Sequence, residues 1–171
     1  MRAIQAAVLN EIRNSQTLLD VGFGDGVFSH AVSAAFPNSD VTAIDTIIPP
    51  TLSAGGITWI KGSVEQLPFV SESFDLVIVV LSMHHWKNKE KGIREITRVL
   101  KKGGRLIVGD PLLEDWMGNR ILGGFMQALD GGVFTDEKRI REAWTQAGLK
   151  NIEIRLVPHT MKTLYLITAI K

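Results

Sequence analysis

Apolar residues along this chain recur at two spacings, and the changes between them mark out the elements. From Met1 to Arg13, the residues Ile4, Ala7, Val8 and Ile12 keep a helical phase. Asn14 and Ser15 break that run, and Thr17 to Val21 reads as a short buried strand. Val27, Phe28, Ala31, Val32, Ala35 and Phe36 then share one helical face until Pro37-Asn38 stops the helix. Asp40 to Ile44 alternates and ends at Asp45, a second strand. Strand, helix and strand within about thirty residues predict a βαβ unit with a right-handed crossover.

The stretch from Thr46 to Gly56, with Pro49-Pro50 and Gly55-Gly56, has room for a helical turn at most. Ile57 to Ile60 is a third strand. Phe74 to Leu81 is almost continuously aliphatic, as a strand covered on both faces should be. Asn88 to Lys102 is a helix with Ile93, Ile96, Val99 and Leu100 inward, and Gly103-Gly104 reads as its C-terminal cap. Arg105 to Val108 is a fifth strand, closed by Gly109-Asp110-Pro111. Leu112 to Gly132 is rich in Gly, Met and Trp and reads as a helical excursion or lid. Thr135 or Asp136 then caps a helix with Ile140, Ala143, Trp144 and Ala147 inward, ending at Gly148. Asn151 to Val157 and Leu164 to Ala169 form a closing antiparallel hairpin. The sum is an α/β fold in one domain over residues 1–171. It is a single Rossmann-like, doubly wound sheet of about seven strands, mostly parallel, with a C-terminal antiparallel hairpin.

Composition narrows the function classes. With 19 basic and 18 acidic residues the net charge is +1, so no broad field draws the chain to nucleic acid or a membrane surface. Lys87, Lys89, Lys91 and Arg94 form a small basic group on what reads as a solvated helix face. The absence of cysteine removes disulfides, thiolate metal sites and cysteine nucleophiles. The longest apolar run, Leu76 to Leu81, is far too short to span a bilayer. No secretory leader is evident, and the expectation is a cytoplasmic protein without membrane insertion, monomeric or homodimeric.

Chemistry begins at Asp20-Val21-Gly22-Phe23-Gly24-Asp25-Gly26. Three alternate glycines between a strand and a helix form a tight turn that lets main chain approach a ligand closely. The first helical N–H groups would face the crevice at the strand's carboxyl end. The spacing is Gly-x-Gly-x-Gly, and Val27 stands where the dinucleotide fingerprint has its third glycine, which disfavours NAD and FAD. No phosphate-binding GxxxxGK[ST] loop occurs either. Asp45, at the end of the second strand, is placed to accept hydrogen bonds from both hydroxyls of a ribose.

Further along come Gly62-Ser63-Val64-Glu65-Gln66-Leu67-Pro68-Phe69, Phe74-Asp75-Leu76-Val77 and Lys101-Lys102-Gly103-Gly104-Arg105-Leu106. With the glycine turn and Asp45, their order resembles the S-adenosylmethionine-dependent methyltransferases of Rossmann-like fold. The likeness is to the small "type 11" branch, which includes ubiquinone- and menaquinone-pathway methyltransferases, and it runs from about Leu18 to Val108. The resemblance implies S-adenosylmethionine as cofactor and S-adenosylhomocysteine as product. It also implies that Asp20 and the turn of Gly22, Phe23, Gly24 and Gly26 face the methionine part. Asp45 would then meet the ribose, Ser63 and Val64 the adenine edge, and the main chain at Leu81-Ser82 the amino group. Two departures stand out. Ser63 occupies a position where the family usually has an acid, and Pro49-Pro50 interrupts the usual helix after the second strand.

After the fourth strand comes Leu81-Ser82-Met83-His84-His85-Trp86, not the [DNS]PPY sequence of many amino-methyltransferases acting on adenine or glutamine. The resemblance sets these residues beside the transferring methyl. A hydroxyl or acidic-carbon nucleophile needs a proton acceptor, and histidine titrates in the useful range. His85 is the first candidate and His84 the second, since neighbours in extended chain point opposite ways. A metal held by these histidines and Asp110 has no diagnostic spacing, so none is expected. His30 and His159 read as structural or solvated. Trp116, Met117, Phe125 and Met126 could line an apolar acceptor pocket or serve as ordinary core. The reading is methyl transfer to a small-molecule acceptor. Its alternatives are a non-catalytic binder of the same cofactor, a nicotinamide-dependent oxidoreductase, and a methyltransferase acting on protein or nucleic acid.

Overall fold

The computed structural model describes residues 3–13, 15–50, 52, 55–111, 137–158 and 164–171. The expected lid, its aromatic and Met residues, the Thr135 or Asp136 cap and His159 lie outside these. The described elements run α1 (Ala3–Glu11), β1 (Thr17–Val21), α2 (Val27–Ala35), β2 (Asp40–Asp45), β3 (Ile57–Lys61) and β4 (Phe74–Val80). After a 3₁₀ turn at Met83–His85 they continue with α3 (Lys89–Val99), β5 (Leu100–Pro111), α4 (Glu137–Gln146), β6 (Lys150–Val157) and β7 (Leu164–Ile170).

The strands form one seven-stranded sheet in the order β3-β2-β1-β4-β5-β7-β6. The first five pair in parallel, and β7 runs antiparallel to both β5 and β6. From β1 the chain winds outward through β2 and β3, then crosses back to lay β4 on the other side of β1. That reversal opens a crevice between the carboxyl ends of β1 and β4, where open α/β sheets take their ligands.

Side-chain alternation along the strands divides the core into two layers. Leu18, Leu76, Ile78 and Ile107 point toward α1 and α2, where Ile4, Val8, Phe28 and Val32 meet them. Leu19, Val21, Val77, Val79, Leu106 and Val108 point toward α3 and α4, against Ile93, Ile96, Ile140 and Trp144. Each such aliphatic side chain contributes roughly 1.5–3 kcal/mol on burial. α1 sits tight on the sheet at Gly109, where an added Cβ would come 2.7 Å from Ile4 and 2.9 Å from Val8.

The hairpin has an internal logic. β7 is uncharged and buried through Leu166, Ile167, Thr168 and Ala169, so it takes the inner place beside β5. β6 carries Glu153 and Arg155 and becomes the edge, where charge discourages further pairing.

One expected boundary is wrong. Gly103-Gly104 does not cap α3. The helix ends at Val99, and Leu100 is already extended. β5 therefore begins at Leu100 rather than Arg105, with a register irregularity opposite Phe74–Leu76. Gly103 makes its left-handed turn (φ +76°) inside this strand and donates its N–H to the Lys171 carbonyl. Parallel pairing of Phe74 with Leu100 won over helix propensity at Lys101-Lys102.

Candidate functional site

The glycine turn does three different jobs. A Cβ on Gly22 would lie 1.9 Å from Ser82 Oγ, and one on Gly26 would lie 2.5 Å from Leu52 and 3.0 Å from Trp59. Both are therefore glycine so that protein can approach protein. Only at Gly24 would a Cβ meet nothing within 4 Å, so it is the one position where the missing side chain leaves room for a ligand. Gly22 nonetheless stays with Gly24 in the walls of the crevice, and Gly26 alone is packed away from it. Of the helical N–H groups expected to face the crevice, that of Val27 is taken by Asp25 Oδ1 at 3.1 Å.

The two acids of the turn differ in setting. Asp20 is 2% exposed and accepts a 2.5 Å hydrogen bond from Ser29 Oγ on α2. Burial, partly offset by that hydroxyl and reinforced by the charge of Asp45, pushes its carboxyl up to about 7. Asp45 is at the end of β2 as the alternation indicated. It accepts from the Gly24 N–H at 2.9 Å through Oδ2, and from Ile47 N–H and Thr46 Oγ through Oδ1. This carboxylate thus fixes the turn with three of its roughly four acceptor sites and stands in the wall of the crevice. At the end of β3, Ser63 accepts from the Glu65 N–H at 3.2 Å and forms a bridge with Gln66, keeping its own proton to donate.

Beyond β4 the chain does not stay extended. Leu81 takes a left-handed conformation (φ +52°), uncommon for a bulky residue and concentrated at functional sites. The next residues close a 3₁₀ turn through His85 N–H to Ser82 O and Trp86 N–H to Met83 O. The argument that adjacent histidines must oppose each other in extended chain therefore does not apply. Their rings lie together, with centroids 3.9 Å apart and planes at 45°. His84 Nδ1 is 2.7 Å from Asp110 Oδ1, and Asp110 Oδ2 accepts from the N–H groups of Ser82 and Met83 at 3.0 and 2.8 Å. Asp110 itself is 0% exposed. Lys89 Nζ holds the carbonyls of His84 and Trp86 from the other side, and burial lowers its pKa. Trp86 Nε1 donates to Ser82 Oγ.

Two cavities flank the turn and share Gly22, Gly24 and Leu81 in their walls. The larger, about 690 Å³, brings together Asp45, Ser63, Val64, Ser82, His85 and Trp86 from the ends of β2, β3 and β4. The smaller, about 520 Å³, is bounded by Asp20, Phe23, Asp25, Val27 and Phe28. Every expected cofactor-site residue lines one cavity or the other, except Gly26, which is packed beneath Trp59. Of the two histidines His85 is in the larger wall. Trp86 joins it from the Leu81–Trp86 stretch that the resemblance set beside the methyl, whereas Lys87 and Glu65 line it without having been anticipated and carry no sequence signal distinct from surface charge. Among the described residues no group of three or more His, Cys, Asp or Glu could hold a metal ion, and no described helix is long and apolar enough to cross a membrane.

A family model described as "Methyltransferase domain" matches residues 19–108, from within β1 to within β5. The ubiquinone/menaquinone biosynthesis C-methyltransferase of Syntrophotalea carbinolica is 32% identical over 99 residues, 53% of this chain and 42% of that protein. The chloroplastic 2-methyl-6-phytyl-1,4-hydroquinone methyltransferase 1 of Oryza sativa is 25% identical over 146 residues, 82% of this chain and 43% of that protein. The chain thus spans less than half the length of these two relatives. In three dimensions the YcgJ protein of Bacillus subtilis aligns with a TM-score of 0.75 at 18% identity, over 99% of this chain and 97% of that one. Haemonchus contortus phosphoethanolamine N-methyltransferase 2, in complex with S-adenosyl-L-methionine, aligns with a TM-score of 0.83 at 15% identity, over 98% of this chain and 52% of that one. The matched span holds the glycine turn, Asp45, Ser63 and the histidine turn, and is more than half of the sequence. By that match, the chain belongs to the methyltransferase-domain family.

Proposed function

We propose that this protein transfers a methyl group from S-adenosylmethionine to a small-molecule acceptor. The observation that carries the reading is the convergence of Gly24, Asp45, Ser63, Val64 and Ser82 on one cavity of about 690 Å³ at the switch point of the sheet. The residues present fit such a cofactor. Gly24 leaves a cradle that a Cβ would fill, and Asp45 keeps an acceptor site for a sugar hydroxyl. Ser63 has a proton to donate, and Val64 gives a buried apolar wall for a flat base. When bound, the cofactor supplies a methyl group on a positively charged sulfur.

The chain's own contribution is chiefly placement. In-line displacement gains most from holding the two reactants in register, which can lower a barrier by roughly 7–11 kcal/mol. Asp45, tied to the Gly24 N–H, fixes the sugar relative to the turn, and the 3₁₀ turn after β4 supplies an imidazole for proton removal. A net charge of +1 gives no support to a nucleic-acid substrate. The names of the quinone-pathway relatives favour an aromatic, hydroxyl-bearing acceptor.

Calorimetry separates this reading from a nicotinamide-dependent oxidoreductase, and turnover on an acceptor panel separates it from a non-catalytic binder. S-adenosylhomocysteine is expected to bind and NADH to give no heat. Tight binding of NADH without response to the sulfur nucleoside would overturn the proposal.

A further inference from the structure

Ser82 holds a hydroxyl over the opening turn, in the wall of the larger cavity. Its Oγ stands 1.9 Å from where a Cβ on Gly22 would lie. Trp86 Nε1 donates to that oxygen at 3.1 Å, which uses one lone pair. Among the described residues no acceptor takes the hydroxyl's own hydrogen, so it is left to donate. The side chain is also kept from turning away. Ser82 N–H is held by Asp110 Oδ2 at 3.0 Å, and Leu81 before it is fixed in a left-handed conformation. Strained backbone of that kind persists where its surroundings over-determine it, and it gathers at ligand sites. The Trp86 ring is pinned on two edges. One reaches Ser82 through Nε1, and the other rests on Gly92, where an added Cβ would come 2.8 Å from Cε3.

Charge divides the two cavities and says which ligand group meets this hydroxyl. The smaller is walled by Asp20 and Asp25 with no Lys, Arg or His among its lining residues. The larger sets Lys87 and His85 against Asp45 and Glu65. Gly22 and Leu81 belong to both walls and form the ridge between them. An amino-acid tail that reaches this ridge bears an ammonium and a carboxylate on one carbon. The ammonium is drawn to the side that holds acids alone, which turns the carboxylate across Gly22 toward Ser82. Resting on the methyl-transfer reading, we propose that the Ser82 side chain is a cofactor-binding residue whose hydroxyl donates to the tail carboxylate, with Trp86 as the positioning residue that aims it. The resemblance drew only on the main chain here, and for the amino group; the two contacts fit together on the one carbon. A hydroxyl-to-carboxylate bond is charge-assisted and among the stronger kind. Anchoring the tail at Ser82 and the sugar at Asp45 fixes the sulfur that lies between them.

Ser82→Ala removes the hydroxyl and keeps the Cβ. Calorimetry on the full chain reads the contact with three ligands: S-adenosylhomocysteine, its decarboxylated analogue, and methylthioadenosine, which lacks the whole tail. Relative to the wild type, S-adenosylhomocysteine affinity is expected to fall about tenfold or more, while the two ligands without a carboxylate stay within about threefold. Trp86→Phe leaves the hydroxyl but removes the N–H that orients it. Its loss is expected to be about three- to tenfold, again for S-adenosylhomocysteine alone. The double variant should bind no more weakly than Ser82→Ala, since both changes act on one contact. Where Ser82→Ala does not fold, Trp86→Phe carries the same comparison. A merely structural role would lower all three affinities together. That result, or an unchanged S-adenosylhomocysteine affinity in both variants, would overturn the inference. A wild type that binds none of the three would remove the methyl-transfer reading and this inference with it, whereas binding of all three without dependence on Ser82 removes this inference alone.

Discussion

Replacing Gly22 and Gly24 one at a time by alanine should separate glycine kept for the protein from glycine kept for the ligand. Both have positive φ, +79° and +58°, so each alanine bears a left-handed penalty of about 1–2 kcal/mol. At Gly22 the new methyl also lands 1.9 Å from Ser82 Oγ and 2.5 Å from its Cβ. The Ser82 side chain is tied to Trp86 Nε1, and its own backbone N–H to Asp110, so it cannot simply swing away. Overpacking of this kind costs about 1–3 kcal/mol. Gly22→Ala should therefore lose about 2–5 kcal/mol, a large share of a typical domain's stability. At Gly24 no atom lies within 4 Å of the new methyl, so stability should fall by the backbone part alone. The same methyl enters the shared wall of both cavities, and S-adenosylhomocysteine affinity should drop about tenfold or more, equivalent to about 1.4 kcal/mol. Urea unfolding with unchanged slope measures the first quantity and calorimetry the second. The double variant Gly22→Ala/Ser82→Gly should recover the overpacking part and leave the backbone part. Equal stability of Gly22→Ala and Gly24→Ala, or no coupling to Ser82→Gly, would refute the packing argument.

Asp45→Ala should weaken S-adenosylhomocysteine binding by about 1–3 kcal/mol, part of it through release of the Gly24 N–H; unchanged affinity in calorimetry would remove the ribose assignment. Asp20, with its carboxyl raised to about 7 from 3.8, binds a proton more tightly folded than unfolded. Its contribution to stability is thus complete below pH 4 and lost as pH rises toward 7, at up to about 1.4 kcal/mol per pH unit. Asp20→Asn should flatten that slope in urea titrations run from pH 4 to 8. A slope unaltered by the substitution would mean that the charge is not desolvated in solution. Gly109→Ala should cost about 1–3 kcal/mol by pressing on Ile4 and Val8, and limited proteolysis should then cut first within α1.

Much of this molecule can be read from its residues in order. Short apolar runs at Thr17–Val21 and Phe74–Leu81, helical phase over Ile93–Val99, and alternation closed by an acid at Asp40–Asp45 are local patterns. Local geometry fixed which way each faces, so strands, helices, the glycine turn and the carboxylate at the end of β2 were legible. Even the inner place of β7 is written in its lack of charge beside Glu153 and Arg155 of β6. What only the tertiary structure decided are meetings between residues far apart in the chain. Gly22 is glycine because Ser82 crosses it, and Gly103 turns inside β5 because Leu100 pairs with Phe74. His84 meets a buried carboxylate because β5 delivers Asp110 to the turn after β4. Each of these depends on a distance set by strand register, and a sequence read along its own length carries periodicity but no register. The chain alone could therefore point to a ligand on the opening turn and a histidine nearby. Which glycine of the turn has open space before it, and which histidine meets a buried acid, were settled by packing.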